Sequence, residues 1–243
     1  NLALGIRRLR YEIRNVIADY PPVYLPLARL KSGTPAAQVV DDDTGLTIEA
    51  WPRSGNTFAE QAFRMAQSRP VKLAHHFHAP AQVIAAARRG LPVLVIVRDP
   101  VDAACSYVIR EPAITLHQAL RSWIRFHVRI MPYRDHCLVA TFAQVTTDFG
   151  RVMRRLNARF GSGFGVFEHT PENVEACFGA IENNNRQRFG GGRIVETGIA
   201  RPSAARLARK RGLEAELDKK ELAPLVRRAR ELHDRYRAWA GDE

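Results

Sequence analysis

Cysteine is scarce in this chain: Cys105, Cys137 and Cys177 are the only three in 243 residues. They are too few and too scattered for a disulfide framework, and no pair has metal-ligand spacing, so a reducing, cytoplasmic setting is expected. Lysine is nearly as rare, confined to positions 31, 72, 210, 219 and 220, although Lys and Arg together number 37. Long apolar runs are missing as well. Val93–Val97 is typical of those present, far short of the ~20 residues a spanning helix needs. Because the sequence opens on Asn1, a targeting segment upstream is left open.

What the chain does have is an ordinary globular composition, 46% hydrophobic and 26% charged, which excludes a disordered or collagen-like chain. Acidic residues number 25, so the net charge is +12, almost all of it from arginine. That surplus suits an anionic ligand, and it suits equally a set of solvated helix faces.

Apolar positions 6, 9, 13, 16, 17 and 20 recur at helical spacing, predicting an amphipathic helix over Ile6–Tyr20 that Pro21, Pro22 and Pro26 end. Lys31–Gly45 reads as loop. Strands are expected at Leu46–Trp51, Val71–Ala74, Val93–Val97 and Leu138–Phe142. Helices are expected at Thr57–Gln67, Ala81–Arg89, Val101–Ile109, Leu116–Met131 and Val145–Phe160. This alternation predicts an α/β fold: a P-loop-like, three-layer domain with a central parallel sheet flanked by helices. A single domain over 1–243 is expected, its core at about 46–160 and a helical part at about 161–243. Within that last part, helices are expected at Glu172–Asn183 and Leu222–Trp239, separated by a mobile glycine-rich loop over Asn183–Gly198.

Two segments carry chemistry. Trp51-Pro52-Arg53-Ser54-Gly55-Asn56-Thr57-Phe58 lies between a predicted strand and a helix. There the free N–H groups of the helix start, two hydroxyls and a guanidinium could cradle a phosphate. It lacks the two glycines and the Lys of a Walker loop. The second segment places Arg98 at the end of a buried strand and Ser106 two helical turns further on, where open α/β sheets bind ligands.

Together and in this order, Pro-Arg-Ser-Gly-Asn-Thr and Arg98-x-Pro100 with Ser106 resemble the sulfotransferases that use 3′-phosphoadenosine 5′-phosphosulfate (PAPS). The resemblance implies that Arg53, Ser54, Gly55, Asn56, Thr57 and Phe58 hold the 5′ side of that nucleotide, that Arg98 and Ser106 hold its 3′-phosphate, and that no metal is required. Arg rather than Lys at 53 is similar to carbohydrate-type and bacterial members. The family's tyrosine after the fourth strand is Phe142 here, and its C-terminal Arg-Lys-Gly has no clear copy, Arg186–Arg193 and Arg201–Arg211 being the substitutes.

A histidine is the usual base for an attacking hydroxyl. The family's His-x-Pro matches His78-Ala79-Pro80, while its spacing from the second segment falls on His76. Two imidazoles in a His-x-His triplet lack a visible third ligand for a metal. His117, His127, His136, His169 and His233 read as structural. The resemblance thus implies sulfuryl transfer, with Arg53 and one of these histidines in catalytic roles, to a small-molecule or carbohydrate hydroxyl or amine. A P-loop nucleoside-phosphate kinase is the alternative enzyme. A basic nucleic-acid-binding module, resting on Arg206–Arg211 and Arg227–Arg230, is disfavoured because the sequence shows no helix-turn-helix, zinc or aromatic-basic strand signature.

Overall fold

The computed structural model describes residues 2–30, 38–188, 209–210, 212–213, 216–217 and 219–241. Four parallel strands, β1 (Leu46–Ala50), β2 (Leu73–His75), β3 (Val93–Val97) and β4 (Leu138–Thr141), form one sheet in the order β2-β1-β3-β4. Registers such as Ile48 opposite Leu94 and Val95 opposite Val139 fix the pairing.

Every residue of the four strands is buried, as expected of a parallel sheet covered on both faces. Side chains alternate between two cores. Val93, Val95 and Val97 face α4 (Pro80–Arg88), α5 (Pro100–Arg110), α6 (Leu116–Ile130) and the final helix, whereas Leu94 and Ile96 face α3 (Asn56–Ala66), α8 (Phe149–Phe160) and α9 (Pro171–Arg188). The three expected layers are present.

The prolines behave differently from expectation. After α1 (Leu2–Ile17), Pro21 and Pro22 open a second helix, α2 (Pro21–Leu30), and Pro26 lies inside it. Proline's fixed φ and missing N–H cost nothing in the first helical turn, so the pair starts a helix as readily as it stops one. The predicted Val145–Phe160 helix is two, α7 (Phe142–Thr147) and α8, because Asp148 breaks the run and caps the second through the Arg151 N–H. Residues 183–188, expected in a loop, continue α9, and the rest of that predicted loop lies outside the described residues. Ala223–Ala240 forms α10, packed on α6 and β4.

The chain goes from β1 outward to β2 and then returns past β1 to β3. The strand order therefore reverses between β1 and β3, and the crevice outside their C-terminal ends is where a ligand of such a sheet binds.

Candidate functional site

Both sequence segments emerge at that crevice. The turn after β1 holds Arg53 at φ 65° and Gly55 at φ 97°. A Cβ on Gly55 would stand 3.2 Å from the Phe142 ring, so the turn needs glycine for conformation and for space. Helix α3 starts at Asn56 with no side-chain cap, leaving its first N–H groups directed at the turn.

Ser54 and Asn56 are 1% and 4% exposed. The Ser54 hydroxyl, both polar atoms of the Asn56 amide and Arg98 Nε are buried without a hydrogen-bond partner. Buried polar groups are nearly always satisfied, so these atoms, three of them donors, stand out at the turn, although Asn15, Asp19, Thr47, Trp123 and His127 carry such atoms elsewhere. Phe58 departs from expectation in one respect. Its ring packs among Phe149, Phe167 and Phe178, so only its backbone could reach a ligand.

The second segment closes on the first. Arg98 Nη1 donates to the Arg53 carbonyl oxygen at 2.7 Å, and Arg53 Nε donates to Ser106 Oγ at 3.0 Å. Asp99 caps α5 by accepting from the Asp102 N–H at 2.9 Å. Burial lowers the Arg98 pKa, opposed by Asp102 and Asp99, but an arginine remains charged throughout the physiological range.

The histidines follow β2. His76 has φ 62° and His78 φ 50°, so with Arg53 they are the non-glycine residues at positive φ among the described residues. Left-handed backbone at a side chain with a Cβ is strained and collects at functional positions. Here Glu49 enforces it from within β1: one carboxyl oxygen accepts from the Phe77 N–H at 3.0 Å and the other from the His78 N–H at 2.9 Å. Burial pushes Glu49 up to about 8, although these two N–H groups and nearby Arg14 pull the other way. Arg14 of α1 also donates to the Phe77 carbonyl.

His78 Nδ1 lies 2.8 Å from the Ala50 carbonyl oxygen. That oxygen can only accept, so the neutral ring carries its proton on Nδ1 and its lone pair on Nε2. Burial, with His76 beside it, holds His78 down at about 3. His78 lines a cleft with Trp51, Pro52, Tyr107 and Ser122, over which α1 lays Tyr11 and Arg14.

His76 is engaged elsewhere, its Nε2 3.1 Å from Thr57 Oγ1 and its Nδ1 2.6 Å from His75 Nδ1. The third donor missing from the His-x-His reading exists, with different partners: Glu60 Oε2 lies 3.4 Å from the Nδ1 atoms of His75 and His76. Tetrahedral ligands at about 2.0–2.1 Å from a zinc ion sit roughly 3.3 Å apart. The two nitrogens, at 2.6 Å, are at hydrogen-bonding distance instead, and Arg64 Nη2 approaches the other nitrogen of His75 at 3.4 Å.

Sequence reasoning missed Glu49, Tyr11, Arg14 and Tyr107. Only Glu49 left a signal, an acid inside an otherwise apolar strand. Of the C-terminal basic segments, Arg186 lies on α9, while residues 189–208 and 211 are outside the described residues.

No family model and no curated protein matches the chain. Among solved structures it is similar to the crystal structure of mouse sulfotransferase SULT7A1 complexed with PAP, at 12% sequence identity and a TM-score of 0.46, covering 81% of this chain and 92% of that one.

Proposed function

We propose that the chain is a PAPS-dependent sulfotransferase that sulfates a hydroxyl of a small-molecule or carbohydrate acceptor, with His78 as general base. The observation that carries this reading is the joining of the two segments through Arg53, whose carbonyl accepts a hydrogen bond from Arg98 and whose guanidinium donates one to Ser106. The residues fit a nucleotide with anionic groups on both its 3′ and 5′ sides. Ser54, Gly55, Asn56, Thr57 and the start of α3 would hold its 5′ side, and Arg98 with Ser106 its 3′-phosphate, with Ser54 Oγ, Asn56 Nδ2 and Arg98 Nε among the buried donors left without a partner.

When bound, PAPS supplies the sulfuryl group and the adenosine 3′,5′-bisphosphate that leaves. The Arg53 guanidinium, held on Ser106 at 3.0 Å between the two segments, would add a fixed positive charge to the bound nucleotide, and charge stabilisation is where such transfers gain most. His78 Nε2 takes the proton of the acceptor hydroxyl, while Nδ1–H stays on the Ala50 carbonyl and orients the ring. Trp51, Tyr107 and Tyr11 line a narrow cleft of about 20 Å³ together with His78, room for about one water, so an acceptor enters there only if the cleft widens. His76, with both ring nitrogens on neighbours, steadies Thr57.

Transfer of radiolabelled sulfate from PAPS to a panel of phenols, alcohols and polysaccharides tests the reading. His78→Ala is expected to lower transfer about 10²–10⁴-fold with bisphosphate affinity nearly intact. Loss in His76→Ala with retention in His78→Ala would move the base to His76.

A further inference from the structure

The N-terminal helix α1 is built inside out. Eleven large hydrophobic side chains stand exposed among the described residues, and nine of them fall between Leu2 and Leu30. On α1 they are Leu2, Ile6, Leu9, Ile13 and Val16, 44–83% exposed, spaced so that they form one stripe less than a quarter-turn wide. The polar face is the one that packs: Arg8 donates to the Ala113 carbonyl at 2.9 Å, Glu12 accepts from Gln118 at 2.9 Å, and Tyr11 is hydrogen-bonded to Ser122. An ordinary surface helix does the reverse. Helix α2 buries the apolar Tyr24, Leu25 and Ala28 in the ordinary way, yet Val23, Leu27 and Leu30 extend the exposed apolar surface.

We infer that α1 docks on an anionic lipid surface, lying in the headgroup layer with the Leu2–Val16 stripe immersed. Charge selects this occupant over a second copy of the chain. Arg7 and Arg10 are exposed along one flank of the stripe, while the helix's single acid, Glu12, is turned to Gln118. In a two-fold pairing of antiparallel stripes that arginine flank would meet itself, on chains that each carry +12. Phospholipid headgroups neutralise it instead, and an apolar stripe beside arginines is the pattern of an interfacial helix. No helix among the described residues is long and apolar enough to cross the membrane, so the helix lies on the bilayer. This inference stands apart from sulfuryl transfer, and its test involves no catalysis.

The test is co-sedimentation of the full chain with extruded vesicles of phosphatidylcholine alone or mixed with phosphatidylglycerol, at low and high salt. Binding is expected to the mixed vesicles, weakened by salt and at least tenfold weaker for Ile6→Ser/Ile13→Ser and for Arg7→Glu/Arg10→Glu. These residues are exposed, and unchanged thermal midpoints will show that the variants fold. Absence of binding, or binding that both variants retain, overturns the inference. So does a dimer in light scattering that Ile6→Ser/Ile13→Ser dissolves, which would assign the stripe to self-association.

Discussion

Arg98 lays its guanidinium over the face of Phe142, with Cζ 4.3 Å from the ring centre. The same ring bounds the space at Gly55, so one aromatic side chain touches both the phosphate-type turn and the cation at the end of β3. A buried cation stacked on a ring gains about 0.5–2 kcal/mol. Phe142→Ala is therefore expected to weaken adenosine 3′,5′-bisphosphate binding roughly three- to thirtyfold, and Phe142→Tyr to preserve it. Isothermal titration reads both.

Gly55→Ala combines two penalties, a left-handed φ of 97° and a Cβ placed 3.2 Å from Phe142. The conformation alone costs roughly 1–2 kcal/mol. A lower thermal midpoint and a loss of bisphosphate affinity of at least tenfold are expected, the two measured on one preparation by calorimetry and titration.

Glu49 touches no ligand in this account and acts by holding the His76–His78 turn. Glu49→Gln keeps the shape but presents an amide donor to one of the two N–H groups now accepted, leaving an unmet buried N–H at about 1–3 kcal/mol. A fall in kcat of at least tenfold is expected with bisphosphate affinity within threefold of the parent. Equal losses in both would mean that Glu49 supports the fold generally.

Protonation couples to stability with a definite sign. Burial holds His75 at about 4 and His78 and His127 at about 3, all from 6.5, so between these values the unfolded chain binds up to three protons that the folded chain does not. Glu49, raised from 4.5 to about 8, binds one extra proton in the folded chain over its own window. The histidines outweigh it between pH 6.5 and 4.5, so stability falls as pH drops there, on the order of 2 kcal/mol per pH unit. His127→Phe should flatten the slope seen in thermal melts. For the same reason kcat/KM should show no acid limb between pH 6.5 and 5, since the free enzyme's His78 is already neutral.

The proposed sulfuryl transfer draws its positive charge from Arg53 and Arg98 and calls on no metal ion. Dialysis against EDTA is expected to leave transfer unchanged, and activity lost to EDTA and restored by zinc would give the Glu60, His75 and His76 donors the role denied them here.

The strands and the flanking helices were legible because a buried parallel sheet demands short β-branched and leucine runs, and Val93–Val97 can be little else. The turn at Arg53–Asn56 was legible because glycine between polar residues after a strand has few other uses. What the sequence hid depends on distance along the chain. Glu49 lies 28 and 29 residues from the N–H groups it accepts, and Glu60 meets His75 across the space between α3 and β2. The prolines at 21 and 22 misled because proline is compatible with both ends of a helix. In the C-terminal third the helices at Glu172–Asn183 and Leu222–Trp239 were legible, whereas the polar, glycine-rich stretch between them offered little periodicity to read and most of it lies outside the described residues.

The central claim is that one nucleotide phosphorylated on both sides of its ribose spans the Arg53–Thr57 turn and the Arg98/Ser106 pair. Isothermal titration of the chain with adenosine 3′,5′-bisphosphate in the absence of magnesium, against ADP with magnesium, tests it most directly. The bisphosphate is expected to bind at least tenfold more tightly, and Arg98→Ala to remove that preference. Tighter binding of ADP with magnesium, or a preference that survives Arg98→Ala, would contradict it.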